Sequence, residues 1–93
     1  MKINELAKES YENVKRRTGK RIFYFGHWKD KLCEEALEWT EARDIKSSHC
    51  PEITEEEEET ADVILVMLSY AASRKFDIEK ILKIKHEFNL TRE

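Results

Sequence analysis

Two short acidic stretches carry the residues best suited to chemistry: Glu34-Glu35-Ala36-Leu37-Glu38 and Glu58-Glu59-Thr60-Ala61-Asp62. On a helix, Glu35 and Glu38 share one face, as do Glu59 and Asp62, because side chains three residues apart are neighbours. Like charges at that spacing repel by roughly 0.2–0.5 kcal/mol per pair. Both pairs also adjoin apolar residues expected to turn inward, where an uncompensated carboxylate is costly. Glu35, Glu38, Glu59 and Asp62 are therefore expected to converge from two helices on a hard dication. Mg²⁺ suits this best and Mn²⁺ is an alternative, since oxygen-only sites with room for water and phosphate oxygens favour these ions. Such a site would hold a substrate polyphosphate and activate water, with phosphoanhydride hydrolysis as the reaction and Glu34 or a neighbouring carboxylate as general base. The bland alternative is a solvated acidic face.

The elements that must position these acids are helical. The 93 residues are 40% charged and 40% hydrophobic with only two Gly and one Pro, a balance that predicts one all-α domain spanning residues 1–93. Ile3, Leu6, Ala7, Tyr11 and Val14 predict a first helix to about Arg17, stopped by Gly19. The run Ile22-Phe23-Tyr24-Phe25 reads as a buried connector, a short strand, or a pocket wall for a base. A second helix is expected from His27 to about Arg43, with Trp28, Leu32, Glu35, Trp39 and Ala42 on one stripe and Lys31 and Glu38 at its border. Ser47, Ser48 and Pro51 mark a loop, and His49 with Cys50 lacks the further ligands that zinc needs.

Thr54-Glu55-Glu56-Glu57 reads as a capping box opening a third helix to about Arg74, which accounts for part of the glutamate run. Its stretch Val63-Ile64-Leu65-Val66-Met67-Leu68 is apolar on nearly every side, so a homo-oligomer burying this helix is expected. Asp77 caps a fourth helix, with Ile78, Ile81 and Leu82 inward and an end near Asn89. Lys85, Asn89 and Arg92 fall on or near one face of it, which is equally the pattern of an ordinary polar helix end.

Several classes are disfavoured. A net charge of −3 leaves no basic excess for a nucleic-acid polymer, although Lys15, Arg16, Arg17, Lys20 and Arg21 cluster near the N-terminus. The apolar run from Ala61 to Ala72 is too short to span a bilayer. The two cysteines form no Cys-x-x-Cys pair and no secretory leader precedes them, so reduced thiols and a cytoplasmic location are expected. Neither Gly-x-x-x-x-Gly-Lys nor Gly-x-Gly-x-x-Gly occurs, so a triphosphate would be gripped by metal and side chains.

Taken in order, Glu34-Glu35-x-x-Glu38, residues 39–58, then Glu59-x-x-Asp62 directly before the apolar run resembles the paired motifs of the MazG-type all-α nucleoside triphosphate pyrophosphohydrolases. The trailing Lys85, Asn89 and Arg92 are similar to that family's C-terminal phosphate-binding residues, so the resemblance covers roughly Lys31 to Arg92. It implies a four-helix protomer completed as a homodimer or homotetramer. It also implies cleavage of a nucleoside triphosphate to monophosphate and pyrophosphate, with Mg²⁺ on Glu35, Glu38, Glu59 and Asp62. By the same resemblance Lys85, Asn89, Arg92 and Lys31 would contact phosphates, while Trp28 and Trp39 stand as candidates to stack on the base, with Phe23 and Phe25. Glu55-x-x-Glu58 is a rival second pair, but only Glu59 and Asp62 lead into the apolar stripe. Two alternatives are a phosphoribosyl-ATP pyrophosphatase of the same superfamily, which the Lys85/Asn89/Arg92 ending disfavours, and a non-catalytic helical dimerisation or adaptor module.

Overall fold

The computed structural model describes residues 2–92. They form four helices, α1 (Ile3–Thr18), α2 (Phe25–Glu41), α3 (Glu55–Ser73) and α4 (Ile78–Leu90), with a single isolated Lys46–Thr54 bridge as the only extended pairing among the described residues. None of these helices is long and apolar enough to cross a membrane. The residues group into two compact units, one of residues 2–19 with 68–92 and the other Lys20–Met67.

In the first unit α1 ends where expected, at Gly19, whose φ of 69° takes the left-handed conformation that a side chain would oppose. Ala7, Leu68, Ser69 and Ala71 are buried, and small residues at this contact bring Ser10 Oγ within 2.6 Å of Ser69 Oγ. Asp77 caps α4 by accepting from the Lys80 N–H at 3.2 Å. Asn4 ties the two helix starts together: its amide donates to Asp77 Oδ1 at 2.8 Å, and its carbonyl oxygen accepts from the Glu79 N–H at 3.1 Å. The apolar side of α4 differs from expectation. Ile78 is half-buried, but Ile81 and Leu82 are exposed together with Ile84, Phe88 and Leu90.

In the second unit the aromatic run is neither strand nor buried connector. Ile22, Tyr24 and Phe25 are exposed, and Phe23 folds back against His27 and Trp28 at ring distances of 4.7 and 5.2 Å. Phe25 already belongs to α2, so this helix begins two residues before the expected His27. Of the expected inner stripe, Trp28 and Glu35 are buried, Leu32 and Ala42 are half-buried, and Trp39 is exposed. The loop after α2 is pinned to the start of α3 through the Ser47 N–H to the Ile53 carbonyl at 2.9 Å and the Glu55 N–H to the Ile45 carbonyl at 2.8 Å. Thr54 and Glu57 then cap α3 reciprocally: the Glu57 N–H donates to Thr54 Oγ1 at 3.1 Å, and the Thr54 N–H to Glu57 Oε1 at 3.0 Å.

Candidate metal centre

All of the acidic residues under discussion lie in the Lys20–Met67 unit, on α2 and on the first turns of α3. Carboxylate oxygens of Glu35, Glu38 and Glu59 lie within 4.8 Å of one another, and so do those of Glu58, Glu59 and Asp62. The four expected ligands thus fall into two overlapping triads joined at Glu59, and Glu58 enters as a fifth acid. Glu58 is expected only as the rival partner of Glu55; its spacing four residues before Asp62 is the signal that the two share a helix face.

Burial sharpens the electrostatics. Glu35 retains 8% of its exposure, and Glu35 Oε2 and Glu59 Oε2 are both sealed from solvent with no hydrogen-bond partner. Burial, followed by the charges of Asp62, Glu35 and Glu58, raises the Glu59 carboxyl above its ordinary value. A hydrogen bond with Glu35 and then its negative charge raise Glu38 as well. Among the described residues, Lys31, one turn earlier on α2, brings a cation to these acids, its ammonium 3.1 Å from Glu35 Oε1 and 3.5 Å from Glu34 Oε1. The hydrogen bond to Glu35 raises the Lys31 pKa. A single ammonium leaves much of the charge of three or more clustered carboxylates uncompensated.

Acids a few residues away are in a different condition. Glu58 accepts from the Ser47 hydroxyl and lies 3.3 Å from His49 Nδ1, and these contacts, the serine first, hold its carboxyl below the ordinary value. Ser47, itself buried, accepts in turn from the His49 and Cys50 N–H groups at 3.1 and 3.0 Å. Glu55 pairs with Arg43 Nε at 3.3 Å. Between these groups opens a cleft of about 200 Å³, lined by Glu38, Glu41, Ala42, Ser48, His49, Glu55, Glu58 and Glu59. A cleft so rich in carboxylates repels a bare polyphosphate and accepts cations.

The other expected site residues are placed as follows. Glu34 is exposed and meets only the fringe of the cluster, through Lys31. Trp28 is 5% exposed and packed against Phe23 and His27, with its ring in the interior of the unit instead of facing a base. Burial, then the charges of Lys20 and Lys31, lowers the His27 pKa. Lys85, Asn89 and Arg92 belong to the other compact unit and are exposed, with the Lys85 ammonium 4.6 Å from the Phe88 ring centre.

A hard dication fits the donors present. Carboxylate oxygens converge from two helices, two of them are buried without a partner, and raised proton affinity marks a site short of positive charge. No protein-family model matches the chain, and no curated protein or solved structure is significantly similar to it.

Proposed function

We propose that this chain is a Mg²⁺-dependent nucleoside triphosphate pyrophosphohydrolase of the MazG type that its two acidic motifs resemble. The observation that supports this most is the convergence of Glu35, Glu38 and Glu59 with buried, unpartnered oxygens on Glu35 and Glu59. Glu35, Glu38, Glu59 and Asp62 would hold Mg²⁺ or Mn²⁺, which supplies charge neutralisation of the phosphates and a more acidic water. The chain's own contribution is to gather these carboxylates on two helices, to exclude water from two of their oxygens, and to offer the exposed Glu34 as proton acceptor for the attacking water. Lys31, Lys85, Asn89 and Arg92 would bind phosphates. A homodimer or homotetramer, covering Ile81, Leu82, Ile84, Phe88 and Leu90, would complete the fold; these exposed side chains also favour the second reading, a helical adaptor without catalysis.

The two readings separate in one assay. With Mg²⁺ or Mn²⁺ and a panel of canonical, deoxy, damaged and phosphoribosyl nucleotides, the parent is expected to release pyrophosphate from at least one triphosphate. Glu59→Gln and Asp62→Asn should each abolish release while keeping the helical circular dichroism. Metal-loaded parent that releases no pyrophosphate from any member of the panel leaves the adaptor reading in place.

A further inference from the structure

Lys31 sits where a metal-dependent site would have little use for a fixed cation. Its ammonium lies 3.1 Å from Glu35 Oε1, the most deeply buried of the clustered acids, and 3.5 Å from Glu34 Oε1. Helix stabilisation is a poor explanation, because Lys preceding Glu by four residues is the weaker orientation of such a pair. The other Glu35 oxygen, Oε2, is sealed and without a partner, so one ammonium leaves this carboxylate half-served. A dication among Glu35, Glu38 and Glu59 would meet both problems and would repel the ammonium at the same time. Lysine has a flexible stem, is 38% exposed in its side chain, and can swing outward at little cost.

We propose that Lys31 is a tethered counter-ion that the divalent metal displaces from Glu35, freeing its ammonium for the phosphates of the incoming nucleotide. The inference rests on the metal-site reading above and adds an order to it. Metal entry exchanges one cation for another, and the released one becomes part of the substrate site, so that metal and nucleotide favour each other's binding.

The test is Mn²⁺ titration by calorimetry without nucleotide, on the parent, Lys31→Met and Lys31→Arg. Removing the competing charge should tighten Mn²⁺ binding by about threefold, the scale of a partly exposed ion pair, whereas Lys31→Arg should bind like the parent. In steady state Lys31→Met should raise KM for the triphosphate and leave kcat within about twofold, the pattern of a lost binding contact. Mn²⁺ binding that is weaker or unchanged in a folded variant overturns the exchange, and so does an unchanged KM, which would mean that the ammonium never reaches the phosphates. Lys31→Gln carries the same test if Lys31→Met folds poorly. Failure of the parent itself to bind Mn²⁺ would overturn the metal site, whereas binding indifferent to Lys31 overturns only the exchange.

Discussion

Glu58 and Glu59 are consecutive residues of one helix, yet their carboxyls are driven in opposite directions. Glu58 has a serine hydroxyl and a histidine ring beside it and is held below its ordinary value; Glu59 has burial and three acids and is raised above it. The contrast extends to their neighbours. Glu55 has Arg43 and Glu57 has the Thr54 cap, so the start of α3 is an acid run whose charges are largely answered by the fold. Glu35 is met by Lys31 at one oxygen, but its second oxygen and that of Glu59 are buried without a partner. Abundance of glutamate therefore says little here, and the partners that each carboxylate lacks say more.

Substituting each side of this contrast should give effects of opposite sign. Glu59→Gln removes a charge that the fold resists, so the metal-free variant should be more stable than the parent, while losing the gain in melting temperature that Mn²⁺ gives the parent. Glu58→Gln removes the charge, and one of the two acceptor oxygens, that organise Ser47 and His49, and should lower stability with or without metal. Urea denaturation of both variants, with and without Mn²⁺, measures this. If both shift in the same direction without metal, the distinction between answered and unanswered acids fails.

The same contrast predicts the pH dependence. Glu38 and Glu59 have raised values, so they bind protons more readily in the folded chain, and their penalty is complete above those raised values and relieved as pH falls through them toward 4.5. Glu58 and Asp77 have lowered values, so their contribution is present above the ordinary 4.5 and 3.8 and is lost only as pH falls through the lowered ones. Acidification should therefore relieve the Glu38 and Glu59 penalty, while His27, whose value is lowered from 6.5, costs stability as pH falls through 6.5. The carboxylate part is isolated by comparing the parent with Glu59→Gln without metal: the stability gap between them should narrow as pH falls toward 4.5, and a gap that stays constant between pH 7 and about 5 would contradict this assignment.

Much of the scaffold was legible because it is written in local signals. The Thr54 and Asp77 caps and the Gly19 stop need only neighbouring residues, and each is seen in the hydrogen bonds. The start of α2 lies two residues before the expected His27, because Tyr24 offers no side-chain cap to announce it. The spacing of the two acidic motifs placed Glu35, Glu38 and Glu59 together, since i,i+3 geometry on two facing helices suffices for that. What spacing could not supply was the partition of charge. Glu58 takes its partners from a loop whose path depends on the Lys46–Thr54 bridge and on the bonds of Ser47, all non-local. The same limit applies to the aromatics: a stripe does not tell that Trp28 is enclosed by Phe23 and His27 while Tyr24 and Phe25 face solvent.

The smallest effect expected separates capping from ligation within α3. Thr54 and Glu57 satisfy two N–H groups at the first turn and touch neither acidic triad. Thr54→Ala should cost about 1 kcal/mol of stability, as loss of an N-cap generally does, and this should appear equally with and without Mn²⁺. The affinity for Mn²⁺ should stay within about twofold of the parent, since the ligands lie a turn or more inward and a frayed cap is felt mainly in the first turn. A larger loss of Mn²⁺ affinity would mean that the start of α3 positions Glu58 and Glu59 through its cap, and that the answered acids are part of the same machinery as the unanswered ones.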